Sequence, residues 1–366
     1  MVLPDRPYTA VLLVPTGIGC AIGGYAGDAL PVARALAGAV DRLITHPNVL
    51  NGAQLYWPIA NAAYVEGYAL DQFAAGRLAL EPVRHNRVGL LLDGAIEPEL
   101  RLRHLQAAEA ARATLGLNLT DYVVSDRPLS VRLNLSETGA SWGTIEPLDS
   151  LRRAAEKLVT EAGAEAIAVV ARFPDEEPES TLLQNYRQGR GVDPIAGAEA
   201  VISHFLVRSL GIPCAHAPAL APLPLDPDLS PRSAAEELGH TFLPCVLVGL
   251  SRAPRYHALP AAQPLPSTAF TGAEVDVVIV PESACGGAAT LHWASQGKTI
   301  LAVRENTTAL AVPPSALGIA AVVVESYWEA LGYVLADRQG IDPWSLRPQG
   351  RSLRLCAPVV PHPSGS

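Results

Sequence analysis

The stretch Val11-Leu12-Leu13-Val14-Pro15-Thr16-Gly17-Ile18-Gly19-Cys20-Ala21-Ile22-Gly23-Gly24-Tyr25-Ala26-Gly27-Asp28 decides the fold class. Its apolar start suits a strand covered on both faces, and an amphipathic segment from Pro31 to Arg42 follows the loop. Between them lie five glycines in the eleven residues 17–27. With so few side chains over the loop, backbone N–H groups can approach a ligand, and the next helix begins nearby. Gly17, Gly19, Gly23 and Gly24, with Asp28, are therefore expected to cradle a phosphate or carboxylate. The string GIGCAIGG matches neither GxGxxG nor GxxxxGK[ST], so neither a dinucleotide fold nor a Walker loop is licensed.

The same alternation recurs along the chain. Short apolar runs at Val88–Leu92, Tyr122–Val124, Val131–Leu135, Ala166–Val170, Val246–Val248, Val275–Val280, Ile300–Val303 and Ala320–Val324 are separated by helical patterns, among them Glu97–Leu115, Asp149–Ala162, Ala196–Leu210 and Ser326–Asp337. This predicts an α/β fold of mainly parallel sheets with helices on both faces, in Rossmann-like layers and with room for two lobes. The expected division is a main α/β domain over residues 1–257, a smaller α/β segment over 268–340 packing on it, and a C-terminal tail over 341–366. An uncharged apolar stretch from Thr307 to Val324 has the length of a membrane span, but Pro313-Pro314 breaks it into two short elements.

At 366 residues and 49% hydrophobic, the chain can bury a large core. Its 36 acidic residues outnumber 27 basic ones, for a net charge of −9. Without a basic block, nucleic acid is not expected as a partner. Cys20, Cys214, Cys245, Cys285 and Cys356 show no CxxC spacing, and the start of the chain lacks the pattern of a secretory signal. Reduced thiols and a cytoplasmic location are the expectation, and the low charge suits a homo-oligomer.

In open parallel sheets, ligands collect at the carboxyl ends of the strands. The residues that follow each predicted strand are polar for so apolar a chain. His46, Asn48 and Asn51 offer an imidazole and two amides, a set that orients a carbonyl and exchanges a proton, although a capping cluster uses the same residues. Ser136–Thr144 supplies hydroxyls, including Ser141, and the indole of Trp142. Arg172 and Arg252 are expected to pair with carboxylate or phosphate oxygens. His216 is the second candidate acid or base, with Asp126 to orient an imidazole. Cys285 precedes Gly286 and Gly287, where a helix start could lower a thiol's pKa. Asn306 lies in a further polar loop. His46, Asp126, His216 and His240 would be the donors of a metal site, but no HExxH, HxH or CxxC spacing is present, so no metal and no cofactor is expected.

The strings GIGCAIGGYAGDALPVARALA, DRLITHPNVLNGAQLYWP, TGASWGTIEPLDSL, GVDPIAGAEAVISH, SPRSAAEELGHTFLPCVLVGLSRAP and PESACGGAATL resemble a family of uncharacterised proteins of cyanobacteria and plants. The resemblance runs from about Val11 to beyond Asn306. It implies one integrated unit in the cytosol or stroma and assigns no role to any residue. The residues themselves point to a cytosolic enzyme that acts on a small polar, anionic metabolite by acid/base chemistry, as an isomerase, a lyase or a hydrolytic transferase. A non-catalytic metabolite sensor or assembly factor and a nucleotide-binding transferase are the alternatives.

Overall fold

The computed structural model describes residues 6–52, 55–175, 180–221, 223–239, 242–348 and 352–353. The glycine loop follows β1 (Thr9–Leu12), which is buried throughout and lies in the middle of a six-stranded parallel sheet. On one side β1 pairs with β2 (Arg42–Thr45), which pairs with β3 (Ala62–Tyr64). On the other it pairs with β13 (Val277–Pro281), followed by β14 (Thr299–Val303) and β15 (Val322–Val324). Strands from both ends of the chain thus share one sheet. The segment 307–324 holds only a single-turn helix, α11 (Pro314–Leu317), ahead of β15, and no helix among the described residues is long and apolar enough to cross a membrane.

A second parallel sheet has four strands in the order β10 (Cys214–Ala219), β9 (Ala166–Arg172), β5 (Val88–Leu92) and β6 (Leu119–Val124). Its two central strands are the most continuous apolar runs of the chain and are buried almost completely. Two antiparallel pieces complete the strands: β4 (Leu78–Glu81) between β11 (Arg255–Ala258) and β12 (Phe270–Thr271), and a hairpin of β7 (Arg132–Leu135) with β8 (Ser141–Thr144).

Helices cover both sheets. The larger sheet carries α1 (Leu30–Ala39) and α12 (Tyr327–Arg338), which touch each other, and elsewhere α10 (Ala288–Ser295) packs on α3 (Gly67–Ala74). Against the smaller sheet lie α5 (Leu148–Thr160) and α7 (Ala196–Leu210), and also α9 (Phe242–Ser251), on which α4 (Pro98–Leu115) rests. Local chemistry sets their ends. Pro opens α1, α4 and the short α2 (Pro47–Leu50), while α4 and α7 stop at Gly116 and Gly211, both left-handed at φ 67 and 68.

One expectation fails. Val246–Val248, read as a strand, lies inside α9. The run Phe242-Leu-Pro-Cys-Val-Leu-Val-Gly-Leu-Ser251 is apolar on all sides, and a short apolar run has no periodicity that separates a buried strand from a buried helix. Its proline falls in the first turn, where its missing N–H costs nothing.

The two lobes meet through direct backbone contacts. Ser141 N–H donates to the Gly17 carbonyl at 2.8 Å, and Gly197 N–H donates to Ser141 Oγ at 3.0 Å. A Cβ on Gly197 would lie 2.2 Å from the Ser141 carbonyl oxygen, and one on Gly143 2.4 Å from Ala198 Cβ. These glycines let the β7–β8 hairpin press on the first turn of α7. Gly197→Ala is expected to destabilise the protein by about 1–3 kcal/mol through overpacking. Gly332→Ala, on α12 with nothing within 4 Å, should stabilise it by about 0.5–1 kcal/mol. Urea unfolding of the two variants checks both signs.

Candidate functional site

Between the lobes lies a cavity of about 610 Å³, within the range of small-molecule sites. One wall is apolar, made by Leu183, Leu220, Leu223, Leu229, Leu243 and Val246. The other is titratable. It gathers His46 just beyond β2, Glu66 at the head of α3, Asp193 ahead of α7, Glu199 and His204 on α7, His216 on β10, and Glu236 on α8 (Pro231–Gly239). Tyr186 and Arg187, at the end of α6 (Thr181–Arg187), close the space together with the proline-dense segment after β10.

The imidazoles are set by their partners. Val14 N–H donates to His46 Nε2 at 3.0 Å, so this ring is neutral with its proton on Nδ1. Burial pushes it down to about 4. His216 Nδ1 lies 3.2 Å from Ser203 Oγ, and Nε2 is 3.8 Å from Glu199 Oε2. Burial, with a smaller contribution from His204, lowers His216 to about 3.

The carboxyl groups shift the other way. Burial raises Asp193 to about 6, and it raises Glu236 to about 8 with help from Asp193. Glu199 is also raised, by burial and then by Asp193 and Glu236. Glu236 Oε2 accepts hydrogen bonds from Tyr186 O–H at 2.7 Å and Ala26 N–H at 2.9 Å. Tyr186 stacks on Tyr25 with ring centroids 4.6 Å apart, and the Tyr25 hydroxyl donates to the Tyr186 carbonyl at 2.8 Å. The three carboxyls line one cavity, where burial disfavours the charged form of each and the charge of Asp193 further opposes ionisation of Glu199 and Glu236.

Of the residues singled out from sequence, His46, Asn48, Asn51 and His216 line this cavity. Both amides also serve the scaffold: Asn48 Nδ2 donates to the Gly23 carbonyl at 2.9 Å, and Asn51 Oδ1 accepts from the Tyr64 hydroxyl at 2.9 Å. The others lie elsewhere. Gly17 and Ser141 form the lobe contact, and Trp142 is 49% exposed on the hairpin. Gly19 packs on the Gly191 carbonyl, Gly23 on Val14 and Gly24 on the Cys20 carbonyl, each too closely for a Cβ. The loop's donors face protein acceptors: Ala21 N–H meets the Thr307 carbonyl, and Gly27 N–H the Asn48 carbonyl. Asn306 is fully buried and clamps the loop through both the N–H and the carbonyl of Ile22.

Asp126 is an exposed partner of Arg153 at 2.7 Å and of Ser150, and the Ser150 and then the Arg153 hydrogen bonds hold its carboxyl low. Arg172 is occupied by Glu97 at 3.0 Å and Asp175 at 2.7 Å, and Arg252 is exposed just past α9. Cys285 is buried beside the Pro281 carbonyl, and burial pushes its thiol up to about 11, opposite to an activated thiolate. Gly286 and Gly287 lie ahead of α10, away from the cavity lining. His240 lies outside the described residues. Among the described residues no three His, Cys, Asp or Glu side chains are placed to hold a metal.

Sequence reading missed Glu66, Glu199, His204 and Glu236 as site residues. A signal existed for one of them: Glu199, with Ser203 four residues further on a helix otherwise rich in Ala, Val, Ile and Leu, puts polar groups on one face.

The model for the protein of unknown function family DUF3326 matches residues 9–347. This chain belongs to that family. It is also 61% identical over 348 residues to an uncharacterized lipoprotein of Synechococcus sp., with 95% of this chain and 96% of that protein covered. The DUF3326 match spans both lobes, so the cavity between them is made wholly of family residues.

Glu236 yields a pH prediction. Its folded-state pKa is raised, so ionisation opposes folding, and stability falls as pH rises from the ordinary 4.5 through about 8. Glu236→Gln, whose carbonyl can still accept from Tyr186 and Ala26, should raise the melting temperature at pH 9 and change it little at pH 4. Thermal unfolding across that range is the check, and a destabilised variant at pH 9 would refute it.

Proposed function

We propose that the protein is an enzyme that performs acid/base chemistry on a small polar metabolite bound between the lobes. The carrying observation is the cavity in which burial raises Asp193, Glu199 and Glu236 beside neutral His46 and His216. Asp193, titrating at about 6, is the base that is ionised at neutral pH, and Glu236, at about 8, is a carboxyl that still holds its proton. His46, protonated on Nδ1, donates a hydrogen bond and orients the substrate, and His216 does the same from β10. The apolar wall takes the substrate's carbon body. The phosphate-cradle reading of the glycine loop is not the one favoured, because the N–H groups of Ala21, Ile22, Ala26 and Gly27 are directed at protein acceptors and the loop glycines pack closely on their neighbours.

Isomerisation and lyase reactions fit this set, since each begins with a proton removed from carbon, which isomerisation returns to carbon, while elimination gives a proton to the leaving group. Thermal-shift screening against carbonyl and carboxylate metabolites, followed by product analysis of each stabilising compound, identifies the substrate. Asp193→Asn and Glu236→Gln should each lower kcat about 10²–10⁴-fold. The activity profile should be bell-shaped, with limbs near 6 and 8. Compounds that bind and are never converted would favour the sensor reading instead.

A cytoplasmic location belongs to the same proposal. A lipoprotein is anchored through a cysteine that becomes its N-terminus. Cys20 is 4% exposed and follows β1, so cleavage before it would remove the middle strand of the larger sheet. Mass spectrometry of the protein from its native host should find unmodified Cys20 in a peptide continuous with β1. A lipid-bearing Cys20 would overturn the location.

A further inference from the structure

His204 is the third histidine at the cavity and has no part in the reading above. It sits on α7 with its side chain 48% exposed, facing Glu66, whose side chain is 3% exposed. His204 Nε2 lies 3.0 Å from Glu66 Oε1. The other Glu66 oxygen caps α3, accepting from Tyr68 N–H at 2.8 Å and Ala69 N–H at 3.3 Å. A carboxylate fastened to a helix N-terminus cannot swing away from the ring. A Cβ on Gly67 would lie 2.8 Å from His204 Nε2, so a residue without a side chain is what admits the imidazole this close.

The groups that face His204 are Glu66 and Asp71 from α3, His46 from the end of β2, and His216 from β10. Burial alone would lower its pKa, but the Glu66 hydrogen bond and the charges of Glu66 and Asp71 outweigh burial and raise it. Nδ1 makes no hydrogen bond within the protein among the described residues, and the ring lines the cavity.

We propose that His204 is a second proton donor of this site, distinct from Glu236, its Nδ1–H meeting a carbonyl or carboxylate oxygen of the substrate while Glu66 holds Nε2. The inference rests on the acid/base reading and adds to it the substrate's chemical class. In an enolisation, a carboxylate base takes the proton from the carbon beside the carbonyl. The C–H electron pair becomes the C=C bond, and the carbonyl π pair moves to oxygen, which takes the proton from Nδ1. His204 ends neutral and the carboxylate ends protonated, so charge and electrons balance without an oxidant. The return step reverses both transfers. Glu66 is then a positioning residue, because it acts only through the imidazole.

The test is a titration of the imidazole nitrogens by nuclear magnetic resonance in the full chain, alone and with malonate or the uncharged malonamide. His204 should be cationic at pH 7, and malonate should move its Nδ1 resonance and raise its titration midpoint. His204→Gln should weaken malonate about tenfold or more, the scale of one charge-assisted hydrogen bond, and leave malonamide unaffected. Glu66→Gln should lower the His204 midpoint, and Glu66→Asp should restore part of it. The proposal is overturned if His204 is neutral at pH 7, if malonate leaves its resonances unmoved, or if malonate affinity survives His204→Gln. Should Glu66→Gln fail to fold, the malonate response of the unmodified protein still decides. None of these readouts needs turnover, so a protein that meets them and converts nothing refutes the acid/base reading alone.

Discussion

The close backbone approach of Gly17, Ser141 and Gly197 is the constraint on which the rest of the molecule depends. It joins the loop after the middle strand of one sheet to the first turn of the helix that covers the other. A side chain at Gly197 would push α7 away from the hairpin, and α7 carries Glu199, Ser203 and His204. Fixing that helix fixes the distance across which residues from both lobes face each other. Of the glycines that look like a ligand cradle in the sequence, Gly17 meets the hairpin and α7 of the other lobe, while Gly23 and Gly24 pack on Val14 and Cys20 of their own.

The interior achieves opposite protonation with one physical effect. Desolvation disfavours the charged form of every group, which lowers His46 and His216 and raises Asp193, Glu199 and Glu236. His204 escapes because Glu66, anchored as a helix cap, supplies a compensating charge at hydrogen-bond distance. A single cavity therefore holds neutral imidazoles, proton-retaining carboxyls and one imidazole biased to the cation. Groups whose pKa values are driven apart by their surroundings are the material of acid/base sites.

Several residues with the right chemistry are excluded by their surroundings. Arg172 has both sides of its guanidinium engaged by Glu97 and Asp175, and Asp126 is spent on Arg153 and Ser150 at the surface. Cys20 and Cys285 follow adjacent parallel strands, yet both are buried and their thiols are pushed up, to about 12 and about 11. Chemistry-bearing side chains are common at strand ends; few of them lack a partner within the protein.

The sequence by itself determined the α/β class, because apolar runs such as Val88–Leu92 and Ala166–Val170 and the helix Ala196–Leu210 carry their periodicity and end signals locally. It placed His46 just beyond a strand, whereas His216, read as following a strand, lies inside β10. It did not separate α9 from a strand, since an all-apolar run has no face. Only the tertiary structure decided that strands from both ends of the chain share a sheet, that the loop glycines pack closely on neighbouring segments, and that Glu66, Asp193, Glu199, His204 and Glu236 converge. Pairing and burial depend on contacts between residues more than a hundred positions apart, and it is burial that gives an ordinary carboxyl or imidazole a pKa fit for catalysis.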